Sequence, residues 1–299
     1  MIMGHVQFGL NFDKWIHGFH MPLWFMISGF FLNTKRETWA YLKRKTSTIL
    51  IPYLFFGIMY EIIWTIAGYN QWQGLIWPNS VEVPLNGALW FLPALFFVDV
   101  IGFMVYKYLN RLIASLLLTL LALLGCFHII SLPFSLDSAL VGCGFFMAGC
   151  LIRWFCSKLL KIKLLPSLGL LVVASVLIFL NGYVNVRTNV YAIMPLFWFN
   201  SISVTIALWN ICRWIDENNS WPRLMMRYLN ILKVIGSDSL IYVCMNQFVL
   251  LKLNELVILE GNIIVMRLWH LVETAIIIAV CFVINILIKR TPMKIMLGK

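Results

Sequence analysis

The sequence predicts an all-α protein, a polytopic transmembrane helical bundle with about nine full spans plus a remnant of a first helix. Three observations carry this. Of 299 residues, 62% are hydrophobic and only 12% are charged, whereas an average soluble domain is roughly one quarter charged. A single soluble core stops growing at about 250–300 residues and could not hide so much apolar surface. The apolar residues also fall in runs of about twenty, the length that crosses a bilayer as a helix, where barrel strands would show short alternating segments. Composition thus excludes an ordinary cytosolic enzyme, a disordered chain and a disulfide scaffold.

Taken in order, residues 1–10 read as the tail of a span without its beginning. No cleavable signal peptide is expected, because no basic segment and no long apolar core precede His17. The full spans are read at 17–33, 47–68, 88–108, 110–130, 138–155, 162–182, 191–214, 236–253 and 264–288. The first is short and interrupted by glycine. Connections are short, so residues 1–299 are expected to form a single membrane-embedded domain. Segment 215–235 reads either as an amphipathic helix on the membrane surface, with Trp221 and Arg223 at headgroup level, or as a plain connecting helix.

Charge separates the two sides. The chain carries 23 basic and 12 acidic residues, a net charge of +11. In alternate loops lie Lys35, Arg36, Lys43, Arg44 and Lys45, then Lys107 and Arg111, then Arg153, Lys158, Lys161 and Lys163. Arg213, Arg223, Arg227 and Lys233 follow, and finally Lys289, Arg290, Lys294 and Lys299. The intervening loops hold only Lys14, Arg187, Lys252 and Arg267. Basic residues favour the cytoplasmic side, so the C-terminus is expected to be cytoplasmic, in a multi-pass protein of the inner or plasma membrane. Segments 6–16, 69–87, 131–137, 183–190 and 254–263 would then face outward. No basic run is interleaved with aromatics on a polar background, so nucleic acid is not an expected partner; the bilayer is. The seven cysteines form no C-x-x-C pair and read as small core residues.

Ionisable groups at membrane depth are costly and are functional candidates by default. They are His5, His20, Glu61, Asp99 and Glu273, with His17 and His270 near span ends; His128 and His270 read as interfacial. The three carboxyls each call for a buried partner or serve helix packing. In WIHGFHMPLWFMISGFF, His17, His20 and Trp24 follow i, i+3, i+7 spacing and share a helical face, which Ser28 continues. No third and fourth ligand stands at comparable depth, which argues against a metal. A neutral imidazole there could act as a general base toward a hydroxyl. The chain has no G-x-S-x-G elbow, no H-E-x-x-H, no P-loop and no D-x-D motif.

Several blocks together resemble acyltransferase family 3, the membrane-bound acyltransferases that O-acetylate polysaccharides. They are Gly4-His5, FHMPLWFMISGFF from Phe19 to Phe31, and the basic cluster leading into Pro-Tyr, KRKTSTILIPY from Lys43 to Tyr53. LWFLPALFFVDVI from Leu89, FFMAGCLIR from Phe145 to Arg153 and IGSDSLIYVCMNQF from Ile235 to Phe248 complete the likeness. Two features depart from it. The family usually carries Arg or Lys eleven positions before the histidine of the Gly-His pair, and only four residues precede His5 here. The family also often has His where this chain has Asn246, which can hydrogen-bond but cannot shuttle a proton near neutral pH.

The resemblance implies transfer of an acyl group, usually acetyl, from cytoplasmic acyl-CoA to a hydroxyl of an extracytoplasmic glycan or lipid-linked sugar. It implies His5 as general base or transient acyl carrier and His20 as second base or orienter. Lys43, Arg44 and Lys45 would hold the donor phosphates, and Trp24, Ser28, Tyr53, Glu61, Trp90 and Asn246 would line the substrate channel, with no metal. The bland counterparts are that Arg44 only signals topology and that Tyr53 and Trp90 only anchor at the interface. A transporter or exporter of a small polar solute and an inactive truncated homologue are the alternative readings.

Overall fold

The computed structural model describes residues 2–6, 8–79, 87–127, 131–218, 220–257 and 262–291. His128, Lys294 and Lys299, named above, lie outside the described residues. The helices are α1 (Ile2–His5), α2 (Leu10–His17), α3 (His20–Phe30), α4 (Thr38–Lys45), α5 (Ile51–Ile66), α6 (Phe91–Tyr108) and α7 (Arg111–Cys126). They continue with α8 (Leu136–Phe155), α9 (Leu164–Asn181), α10 (Met194–Glu217), α11 (Arg223–Ser237), α12 (Ser239–Leu256) and α13 (Ile263–Lys289). One small hairpin, β1 (Val184–Asn185) with β2 (Val190–Tyr191), pairs Val184 with Tyr191 and Asn185 with Val190.

Helix starts follow local chemistry. Pro22, Pro93, Pro166 and Pro195 each occupy the second or third position of a helix, where the missing N–H has no intrahelical partner in any case. Asn110 and Asn262 cap α7 and α13 with their side-chain oxygens. Pro52 is different, because α4 and α5 run on as one rod through it. The Thr48 carbonyl that would have accepted its amide has no N–H to meet, and Thr46–Leu50 winds as a wider π turn.

The bundle is helical, as expected, but it holds fewer full spans than nine. Among the described residues six helices are long and apolar enough to cross a membrane, or seven if α11 and α12 count as one broken span. Three expected spans account for the difference. Span 17–33 is cut at Gly18-Phe19 into α2 and α3, and the former outward segment 6–16 is largely the helix α2. Span 110–130 shows only the 16 residues of α7 as helix. Span 236–253 is α12, whose Asn246, Gln247, Lys252 and Glu255 dilute its apolar content, and which meets α11 at 85°. All 15 residues of α11 remain at least partly exposed, with Leu224, Tyr228 and Ile231 among the most exposed apolar ones.

The packing centre is α8, which lies against α3, α6 and α7. Small residues permit it. A Cβ on Gly29 would stand 1.9 Å from the Phe146 carbonyl oxygen, and one on Gly149 would stand 2.0 Å from that of Met26. These two reciprocal contacts hold the backbones of α3 and α8 close, as small residues do where lipid supplies no hydrophobic drive. Helix α3 buries Met21, Phe25, Met26 and Gly29 in this contact, and the opposite stripe of His20, Trp24 and Ser28 is left for another use. A second cluster, built on Tyr53, Phe56, Tyr60, Ile241, Cys244 and Ile277, joins α5 to α12 and α13.

Candidate active site

The α2–α3 break frees backbone groups that need partners. The Ser201 hydroxyl of α10 donates to the Gly18 carbonyl at 2.7 Å, so the break is held by protein where water is scarce. Imidazoles stand on both sides of it. The His17 and His20 rings meet edge to face with centroids 5.0 Å apart. His20 Nδ1 lies 2.7 Å from the Ile16 carbonyl oxygen, and His17 Nδ1 lies 2.8 Å from that of Asp13. A carbonyl only accepts, so both Nδ1 atoms carry hydrogen, and a neutral ring leaves its Nε2 lone pair free. His5, at the end of α1, lies within electrostatic reach of both rings and of Arg187 on the β1–β2 connection. Its Nδ1 is 2.9 Å from Nε2 of Gln247 on α12. Gln247 Oε1 accepts in turn from the Gly87 N–H.

From His20 the stripe of α3 turned away from α8 leads to a cavity of about 700 Å³ at the other end of the helix. Trp24, Ser28, Tyr41 and Asp99 form its walls, and Lys35, Arg36, Arg44, Lys45 and Arg153 surround it. Helical rise puts Ser28 about 12 Å from His20 along α3. Asp99 is fully buried and held from three sides. Lys45 Nζ is 2.5 Å from its Oδ2, Ser28 donates to its Oδ1, and the Tyr41 hydroxyl reaches its backbone carbonyl at 3.3 Å. Tyr41 is fixed by stacking on Phe103 with centroids 3.9 Å apart. Arg153 donates to the Phe30 and Leu32 carbonyls at 2.9 Å each, closing the C-terminal end of α3. Lys45 and Arg153 are thus committed, whereas Lys35, Arg36 and Arg44 pair with no carboxylate among the described residues.

A family profile described as an acyltransferase domain matches residues 1–288 of the chain. The chain belongs to acyltransferase family 3. It is a membrane acyltransferase. No curated protein and no solved structure matches it. For an acyltransferase, the structure sorts the residues picked out in the sequence into two groups. Trp24, Ser28, Arg44 and Lys45 come together in the cavity, and His5 lies within electrostatic reach of His20 beside the helix break. Lys43 is exposed and outside the cavity lining. Tyr53 is a strut, its hydroxyl donating to the Leu75 carbonyl at 2.6 Å. Trp90 is buried in the core at the start of α6. Glu61 is buried with neither oxygen hydrogen-bonded among the described residues. Asn246 turns back on its own helix and donates to the Tyr242 and Val243 carbonyls.

Some partners in and around the candidate site carry no signal in the sequence. Asp99 was visible as a buried carboxylate wanting a cation, but its partner stands 54 positions away. Glu273, the third carboxyl, meets His270 at 3.1 Å. Gln247 and Arg187 carried no local signal. Gln247 follows directly on Asn246, and a helical step of about 100° puts the two side chains on different neighbours.

Proposed function

We propose that the protein is an O-acetyltransferase of the cell membrane. It takes an acyl group, acetyl in the first instance, from cytoplasmic acyl-CoA and passes it to a hydroxyl of an extracytoplasmic glycan or lipid-linked sugar. The observation that carries this reading is the common face of α3, with His20 at one end and the basic cavity at the other. Arg36 and Arg44, with Lys35, present unpaired cations suited to phosphates. A donor held there by its phosphates would lay its arm past Ser28 and Trp24 and bring its thioester toward His20. The Nε2 lone pair of His20 then takes the acceptor's hydroxyl proton as that oxygen attacks the thioester carbon. In this orientation the basic end and the C-terminus are cytoplasmic, and His5, His17 and Arg187 are approached from outside.

The test is acetyl transfer from radiolabelled acetyl-CoA by membranes carrying the full chain. His20→Ala is expected to lower kcat by about 10²–10⁴-fold, the usual contribution of a positioned base. Arg44→Ala is expected to raise KM for acetyl-CoA and leave kcat near wild type. Equal labelling by wild type, His5→Ala and His20→Ala would sink the assignment, and solute uptake without acyl transfer would put a transporter in its place.

A further inference from the structure

Gln247 stands between two partners that fix its orientation. Its Oε1 accepts from the Gly87 backbone N–H, a group that can only donate. The amide therefore points its Nε2 at His5, 2.9 Å from Nδ1. An amide nitrogen only donates, so His5 Nδ1 is the acceptor, and a neutral ring keeps its single hydrogen on Nε2. His20 has the opposite arrangement, with hydrogen on Nδ1 and a free lone pair on Nε2. The two histidines thus offer unlike groups, a donor from one and an acceptor from the other. Gly87 is cut to fit. A Cβ there would lie 2.9 Å from the Gln247 amide and from the Arg187 guanidinium.

We propose that Gln247 is a positioning residue that locks His5 in the Nε2–H form, so that His5 donates a hydrogen bond to the thioester carbonyl oxygen and His20 is the base. This deepens the acetyl-transfer reading and rests on it. In the step, the acceptor oxygen bonds to the carbonyl carbon, its proton moves to His20 Nε2, and negative charge builds on the carbonyl oxygen against the His5 N–H. The carbon–sulfur bond then breaks, the carbonyl reforms, and the proton on His20 goes to the departing thiolate. The His5 hydrogen never leaves its nitrogen, and no other reactant is needed.

The test is ¹⁵N NMR of the full chain purified in detergent with labelled histidine, the His5 signals being those lost in His5→Asn. The wild type is expected to show His5 protonated at Nε2 and bare at Nδ1. Gln247→Glu puts an acceptor where the donor was and is expected to move the hydrogen to Nδ1. It should lower kcat by about 10²–10³-fold, as loss of an oxyanion donor does, with KM for acetyl-CoA unchanged. Should Gln247→Glu fail to fold, Gly87→Ala serves in its place, loosening the Gln247 carbonyl and leaving the His5 hydrogen shared between both nitrogens. A wild-type His5 protonated at Nδ1, or a variant whose tautomer moves with kcat intact, overturns the proposal. A locked tautomer in a chain that transfers no acetyl group at any rate overturns the acyl-transfer reading and the donor role, and leaves the Gln247–His5 lock standing.

Discussion

Asp99 is the most tightly constrained ionisable side chain in the cavity. Its carboxylate is buried and among the described residues it pairs with Lys45, itself about a quarter exposed at 23%. Removing one member of such a pair strands the other, at a cost of about 3–5 kcal/mol. Asp99→Ala is therefore expected to lower the thermal midpoint in detergent sharply. The double variant Asp99→Leu with Lys45→Met should recover most of that loss, because two apolar groups of similar size leave no uncompensated charge. A double-mutant cycle in which the two losses simply add would contradict this. Sequence alone made both residues visible and could not join them. Burial in LWFLPALFFVDVI marked Asp99 as needing a cation, and the basic run marked Lys45 as available, but no local pattern sets the register of α4 against α6. The same limit hid Gln247. Asn246 stands in a block that resembles the family, whereas its neighbour Gln247 reaches His5, 242 positions away.

Helix α3 shows what an element adds to its residues. One face is given to α8 through Gly29 and Gly149, the other to the cavity and the histidines. Gly29→Ala and Gly149→Ala each drive a methyl group into a carbonyl oxygen and are expected to cost at least the ~1–3 kcal/mol of ordinary overpacking. The readout is folded yield and thermal midpoint in detergent. Gly169→Ala is the control. Nothing lies within 4 Å of its Cβ position in α9, so stability should hold or rise, since glycine disfavours helix interiors by about 0.5–1 kcal/mol. The hydropathy of α5, α6, α8, α9, α10 and α13 was legible as full spans because each is long and continuous. The division of α2 from α3 was not. Glycine in an apolar run signals a possible interruption, but Ser201 of α10, which makes the interruption tolerable, comes from far along the chain.

For the molecule as a whole, the uneven charge is gathered in space as well as along the sequence. The 34–45 segment, Lys107 and Arg153 converge on one end, where Lys107 donates to the Arg36 carbonyl and Arg153 to those ending α3. On the proposed orientation, a cysteine placed at Gln71 should label with an impermeant reagent added outside intact cells, and one placed at Lys161 only after permeabilisation. The reverse pattern would overturn that orientation. Because unpaired cations at a cavity mouth attract anions over roughly a Debye length, KM for acetyl-CoA should rise with ionic strength, and this dependence should weaken in Arg36→Ala. The break at Gly18-Phe19 has a consequence on this scale too. Helices of 8 and 11 residues are about 12 and 16 Å long, each near half of a hydrocarbon layer about 30 Å thick. On the proposed orientation, their junction would divide one thick barrier into two thin ones that meet at the imidazoles. On the proposed function, donor and acceptor would approach that junction from opposite sides and meet with neither crossing the whole layer.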